Sequence, residues 1–333
     1  MSGFSIPRVI EGIQYYTPFL IQMVVYFWID FFKAWLPYWP QKQIKGQLML
    51  ITGAGSGIGR ESAKQFAHRG VRLILWDVNE EGLKETKEIL AQNGHDNVQI
   101  MRVNLGDHDD VRRAGSEVRD NYGVPDIVFN VAGINGAFSL TECDMGKYDN
   151  TMNVNTRAVV TVVNEFLNEM ISRNSGHLIT LTSIAGYQGA GGLIAYTMSK
   201  YAAVGYMESI RNEFKSKKID IKCTTVAPYY VKTPMTRGVE YDNFWAPMCE
   251  PEYVVEQIVE GVLRESEEIF IPRWSWFYVV IKGFLPTRVM DVFTEAFEIH
   301  TLPIGFERFR LQQAKLNGAN GTPNGNQNGV ENR

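Results

Sequence analysis

The sequence predicts an α/β fold: a doubly wound parallel sheet forming one domain, with apolar appendages at its ends. Two observations lead to it. From residue 46 to about 270, short β-rich runs alternate with helical stretches, which implies right-handed crossovers and a parallel sheet. The first such run opens into a glycine-rich turn and then a helical pattern. Outside that region the composition changes, apolar and aromatic at the amino end and Asn- and Gly-rich at the carboxyl end.

In chain order, residues 1–41 come first. Between Pro18 and Pro37 lie 18 residues, all apolar except Gln22, Asp30 and Lys33. As a helix the run is roughly 27 Å long, at the lower limit for crossing a hydrocarbon core. At about 100° per residue its three polar side chains fall within an arc of roughly 80°. One narrow polar stripe on an apolar cylinder suits a helix lying in a membrane interface or packed in a hairpin, in preference to one that spans. Tyr26, Trp28, Trp35 and Trp39 have the character of interfacial anchors. No small-residue cleavage site follows the run, which argues against a signal peptide. Lys33, Lys42 and Lys45 lie at or beyond its end and only Arg8 precedes it, so a spanning helix would keep the rest of the chain in the cytosol.

Gln47–Ile51 reads as a buried strand running into Thr52-Gly53-Ala54-Gly55-Ser56-Gly57-Ile58-Gly59, with a helical pattern from Arg60 to Arg69. Glycines permit close backbone approach, and a helix amino terminus directs free N–H groups at an anion, here the pyrophosphate of a dinucleotide. A second strand, Arg72–Trp76, ends in Asp77, 18 residues after Gly59. A carboxylate there accepts hydrogen bonds from the ribose diol of NAD and repels the 2′-phosphate of NADP, so NAD is the expected cofactor. Further strands are expected at Val98–Val103, Ile127–Val131, Gly176–Thr182 and Asp220–Val226. Helices are expected near Asp109–Tyr122, Met145–Arg173 and Ser199–Lys217. This is the Rossmann arrangement.

Tyr196 and Lys200 are four residues apart at an expected helix start, which puts them on one face. A phenol titrates near pH 10 in water, and a neighbouring ammonium favours its anion, moving it toward use as a base. Such a pair alone is also what a packed Tyr beside a solvated Lys looks like. Thirteen residues upstream, Ser183 ends the strand before it, where a hydroxyl could hold a substrate carbonyl or alkoxide beside Tyr196.

With these residues in place, the chain resembles the short-chain dehydrogenase/reductase family over roughly residues 46–235. The Thr52-Gly53-x-x-x-Gly57-Ile58-Gly59 spacing is similar to the family's short, single-domain type. Asn130-Val131-Ala132-Gly133 resembles its Asn-Asn-Ala-Gly element, with Val131 in place of the second Asn. The resemblance implies a catalytic tetrad of Asn155, Ser183, Tyr196 and Lys200, with Asn155 anchoring a proton-relay water. It also implies cofactor contacts from Gly53, Ser56, Gly57, Ile58, Gly59, Asp77, Asn104, Asn130, Ala132, Gly133, Tyr196, Lys200, Val231 and Thr233. Within Pro228-Tyr229-Tyr230-Val231-Lys232-Thr233, Val231 would meet the carboxamide through its backbone and Thr233 through its hydroxyl. Three positions depart from the family pattern. Tyr229 replaces a Gly, Asn104 stands where an Asp often contacts the adenine amino group, and Val131 removes a polar group near the adenosine. A homodimer through the helices of Asn155 and Tyr196 is a further implication. The apolar amino terminus, Leu75-Trp76-Asp77, Ile269-Phe270-Ile271-Pro272 and Lys282-Gly-Phe-Leu-Pro286 resemble members associated with membranes or lipid droplets, among them retinol and 17-beta-hydroxysteroid dehydrogenases.

Residues 236–249, with Tyr241, Phe244, Trp245 and Met248, lie where the family carries its substrate lid, and suit an apolar ligand. Residues 271–315 form an aromatic, amphipathic extension from Trp274 to Leu285, flanked by Arg273, Lys282 and Arg288. It reads as a helix covering the pocket, as a second membrane contact, or as both. Residues 316–333 cannot bury enough apolar surface to order and read as a disordered tail; the sequon at Asn320 reads as chance. Three scattered cysteines and five scattered histidines give no metal-ligand or disulfide spacing, so no metal is expected. A net charge of −4 gives no reason to expect a nucleic-acid partner.

The resulting organisation is a membrane-associating segment (1–41), a dinucleotide-binding catalytic domain (42–270), the extension (271–315) and the tail (316–333). The expected function is hydride transfer between NAD and a lipophilic alcohol or carbonyl compound, such as a retinoid, steroid or long-chain alcohol. The expected place is the endoplasmic reticulum membrane or a lipid-droplet surface, with the catalytic domain facing the cytosol. The competing reading is a lipid-surface structural protein whose dehydrogenase activity is dispensable.

Overall fold

The computed structural model describes residues 6–35, 39–136, 144–236 and 247–296, so most of the expected lid and all of the expected tail, with its sequon, lie outside the described residues. The chain divides between Gln43 and Ile44 into two units, two residues later than the boundary expected from sequence.

In the first unit, α1 (Ile6–Trp35) is 30 residues long and continues through Pro18. Proline lacks an N–H, so the ladder loses a bond there. The residue just before it, Thr17, donates through its hydroxyl to the Ile13 carbonyl at 2.6 Å. The apolar side chains described along α1, such as Phe19, Val24 and Trp28, are exposed. Among the described residues no helix is long and apolar enough to cross a membrane.

The second unit is built on a seven-stranded sheet, every neighbouring pair parallel, in the order β3-β2-β1-β4-β5-β6-β7. The strands are β1 (Leu48–Thr52), β2 (Arg72–Asp77), β3 (Val98–Arg102), β4 (Ile127–Asn130), β5 (Gly176–Leu181), β6 (Ile221–Pro228) and β7 (Glu268–Ile271). The first six fall where the sequence puts them, to within two residues; β7 is an addition. Central strands of such a sheet are covered on both faces, so they read as unbroken apolar runs. Successive residues nevertheless serve different cores. Met49 and Ile51 of β1 join Leu73, Leu75, Ile127 and Phe129 on one face. Leu48 and Leu50 join Ile74, Trp76 and Val128 on the other.

Helices α2 (Gly57–Ala67), α3 (Glu80–Gln92) and α8 (Pro251–Leu263) cover the first face through Phe66, Leu83, Leu90 and Ile258. Helices α4 (His108–Tyr122), α6 (Ala158–Ser172) and α7 (Ile194–Lys217) cover the second through Val111, Val118, Phe166 and Phe214. The single helix expected over Met145–Arg173 is two, α5 (Met145–Met152) and α6, joined by a π-helical turn, Asn153–Arg157. Beyond β7 follow α9 (Ser275–Phe284) and α10 (Thr287–Ala296). Ser275 and Tyr278 of α9 are buried and Val279 packs on an aromatic cluster with Tyr229 and Phe270. Trp274, Trp276, Phe277 and Phe284 are exposed. The inward residues recur at helical spacing, so α9 is amphipathic.

Candidate active site

The strand order reverses between β1 and β4, and in a doubly wound sheet the crevice beyond that point is where ligands bind. A cleft of about 490 Å³ opens there, running from Asp77 past the glycine turn to Ser183 and Tyr196.

The glycine turn is fixed by close approach. Gly53 has φ +69°, and a Cβ on it would lie 2.7 Å from the Ala132 Cα. A Cβ on Gly59 would lie 2.0 Å from the Gly53 carbonyl oxygen. The Thr52 hydroxyl accepts from the amides of Val131 and Ala132 at 3.1 and 3.3 Å, locking the end of β4 beside the turn. Asn79, Asp107 and Asp144 cap α3, α4 and α5 with their side chains, whereas Ser56, before α2, makes no such bond. The first-turn amides of α2 are therefore available to an anion. Asp77 is held in place: Oδ2 accepts from the Gly55 amide at 2.8 Å and Oδ1 from the Asn79 amide at 2.9 Å. Sequence reasoning missed the brace behind this turn. Arg60 donates to the Gly55 carbonyl at 2.6 Å and to the Thr86 hydroxyl at 3.0 Å.

Gly53, Ser56, Gly57, Ile58, Gly59, Asp77, Asn104, Ala132, Gly133, Val231 and Thr233 all line the cleft, as do Ser183, Tyr196 and Lys200. Two expected residues sit behind its wall. Asn130 is buried next to Thr52 in the sheet, and its Nδ2 has no partner. Asn155, in the π turn, donates through Nδ2 to the Ile134 carbonyl at 2.9 Å and to the Ser199 hydroxyl at 3.0 Å. Its Oδ1 accepts from the Ile134 amide at 2.8 Å. Asn155 thereby pins the β4 loop to α7. The Asn104 Oδ1 already accepts from the Gly106 amide at 3.1 Å.

Ser183 ends the connection from β5 and starts a 3₁₀ turn, Ile184–Gly186. The cleft brings it together with Tyr196, on the first turn of α7. Burial pushes the Tyr196 hydroxyl above its ordinary pKa, and the Ser183 hydroxyl opposes that. The sequence argument expected Lys200 to bring it down instead. Lys200 lies one helical turn on, with Nζ 5.5 Å from the Tyr196 ring centroid and donating to the Leu181 carbonyl at 2.9 Å. Burial dominates at Tyr196, and desolvation lowers Lys200 itself to about 8. The arrangement offers a phenol, a hydroxyl and a cation at the end of an apolar cleft. Ile184, Leu193, Tyr229 and Tyr230 complete that end, and no sequence motif marks the first two.

Tyr229 adopts no left-handed backbone, so the loop accommodates it where a Gly was expected. Its amide donates to the Ile271 carbonyl at 2.6 Å, and its ring lies 4.7 Å from Tyr230 and 5.9 Å from Trp274. Val231 bridges to Cys249, and the Thr236 hydroxyl ties the Val231 carbonyl at 2.6 Å to the Thr233 amide at 3.0 Å. Among the described residues no three His, Cys, Asp or Glu side chains gather as a metal site would require.

Comparison with known proteins gives a consistent result. A family model described as short chain dehydrogenase matches residues 47–243. Human epidermal retinol dehydrogenase 2 is 37% identical over 251 residues, covering 75% of this chain and 81% of its own. Human estradiol 17-beta-dehydrogenase 11 is 33% identical over 264 residues, covering 79% and 87%. Two solved folds are similar at low identity. A short chain dehydrogenase/reductase from Burkholderia phymatum in complex with NAD has a TM-score of 0.66 at 21% identity, covering 75% of this chain and 96% of its own. An actinorhodin polyketide ketoreductase with NADPH has 0.62 at 23%, covering 68% and 95%.

Proposed function

The chain belongs to the short-chain dehydrogenase/reductase family, and from that premise we propose that it interconverts a lipophilic alcohol and its carbonyl compound using NAD. The observation that carries this reading is the gathering of Ser183 and Tyr196, with Lys200 beside the Tyr196 ring, at the apolar end of a cleft whose other end holds Asp77. The cleft suits a dinucleotide: glycines keep side chains out of the turn, the first amides of α2 are uncapped, and Asp77 is oriented by two backbone amides. When bound, the nicotinamide supplies a two-electron acceptor or donor of hydride. In the oxidative direction Tyr196 takes the proton of the substrate hydroxyl, and Ser183 hydrogen-bonds the same oxygen as it becomes a carbonyl. The Lys200 ammonium favours the phenolate form of Tyr196 electrostatically. Asn155 holds the β4 loop against α7 and anchors a water on the proton path. Val231 and Thr233 orient the carboxamide. The fixed Asp77 carboxylate favours a free ribose diol, hence NAD over NADP.

The apolar walls support this substrate class, as do the names of the relatives, a retinol dehydrogenase and an estradiol 17-beta-dehydrogenase. The exposed aromatic residues of α1 and the outer face of α9 support attachment to a lipid surface, the endoplasmic reticulum or a lipid droplet, with the catalytic unit in the cytosol. Those same faces favour a second reading, a lipid-surface structural protein with dispensable activity. Purified full-length protein is expected to change nicotinamide absorbance with at least one retinoid, steroid or fatty alcohol, and to prefer NAD to NADP. Tyr196→Phe is expected to lower turnover by roughly 10²–10⁴-fold. Retained turnover in Tyr196→Phe would refute the mechanism. Full rescue of a cellular phenotype by that inactive variant would favour the structural reading.

A further inference from the structure

Helix α9 is fastened to the two segments that carry the reacting hydroxyls. The 3₁₀ turn begins at Ser183 and ends at Tyr187. Within it, Gly186 lies so close to α7 that an added Cβ would sit 2.9 Å from the Lys200 carbonyl oxygen. From α9, the Lys282 ammonium donates to the Tyr187 carbonyl and, at 2.9 Å, to the Tyr201 hydroxyl. It also sits 5.7 Å from the Tyr201 ring centroid. Tyr187 closes the turn that Ser183 opens, and Tyr201 follows Lys200 in the chain. One cation therefore joins the segment holding Ser183 to the helix holding Tyr196 and Lys200. Tyr187 is fixed from another side as well: its hydroxyl donates to Glu268 at 2.8 Å, and its ring packs 5.1 Å from Phe270.

We infer that Lys282 is a positioning residue, which sets the spacing between the Ser183 turn and α7 and so the placement of Ser183 relative to Tyr196. A lysine in the last turn of a helix ordinarily serves that helix's own carbonyls or stays in solvent. Both acceptors found here are on other elements, 95 and 81 residues away in the chain. The effect on turnover rests on the proposed dehydrogenase reaction, whereas the effect on the turn does not.

Lys282→Met keeps most of the aliphatic stem and removes the donors. It is expected to lower kcat roughly tenfold while leaving the KM for NAD unchanged, because a small displacement of a reacting group affects rate more than distant binding. Amide hydrogen exchange is expected to quicken at residues 183–187 and at the start of α7, with the rest of the sheet unchanged. Lys282→Arg, which can reach both acceptors, is expected to recover at least half of the lost kcat. Tyr201→Phe, which removes one acceptor and leaves the other, is expected to fall between the parent and Lys282→Met. Parental exchange at 183–187 in Lys282→Met overturns the inference. So does a loss of turnover that arrives with faster exchange throughout α9 and is not recovered by Arg. If the parent turns over no lipophilic alcohol, the proposed function falls while the exchange experiment still decides the role of Lys282.

Discussion

Lys200 is 3% exposed and ends on a single described acceptor, the Leu181 carbonyl. Its ammonium has lost most of its hydration, which is why its pKa falls from 10.5 to about 8. The stability consequence has a definite sign. Between those two values the unfolded chain binds the proton and the folded chain does not, so stability rises with pH across that window. The destabilisation is present in full below pH 8 and is gone above pH 10.5. Its size is of the order of 3 kcal/mol, partly offset in a variant by the lost bond to Leu181. Lys200→Met is therefore expected to abolish turnover and yet to melt a few degrees higher than the parent near pH 7. The gain should shrink to nothing near pH 10.5. Equal offsets in melting temperature at the two pH values would show that the charge is not what the fold tolerates at a cost.

At the scale of elements, the junction of β1 and α2 carries the most constraint for its length. Thr52 and Gly53 meet the end of β4, and Gly59 packs so closely on Gly53 that no room is left for a methyl group. Gly59→Ala is expected to force the turn apart and weaken cofactor binding at least tenfold, as read by titration of tryptophan fluorescence, with far-UV circular dichroism retained. Unaltered binding would mean that the turn adapts and the close approach is not required. This junction was legible in the sequence because a strand, a glycine turn, a helical pattern and a second strand ending in Asp77 follow in order, and the buried strands were legible as apolar runs. Strand β7 was not, since four residues, Glu268–Ile271, are too few to distinguish a strand from a loop beside a proline. The π turn around Asn155 was not either: an i→i+5 bond has no composition of its own, and the sequence read as one continuous helix. Nor was the Lys282 bridge, whose partners are brought together only by the packing of α9.

At the scale of the whole molecule, the reacting residues and the apolar appendages belong to units with separate sources of stability. Among the described residues, no member of the core on either face of the sheet precedes Ile44. The described apolar side chains of α1 are exposed. A chain starting at Ile44 should therefore melt within about 2 °C of the full-length protein, since none of the described side chains before it is buried. Its membrane affinity should change far more. Removing the apolar area of α1 takes away the larger lipid-facing surface and leaves the four exposed aromatic residues of α9 and its approach, Trp274, Trp276, Phe277 and Phe284. Burial of apolar area sets interfacial binding, so the truncated protein is expected to move from the membrane pellet to the soluble fraction. Substituting those four residues by serine in the truncated chain should then remove any residual binding. A truncated chain that sediments as completely as the parent would transfer the anchoring role to α9. A truncated chain that melts much lower would show that α1 contributes to folding, and the two-unit description would have to be abandoned.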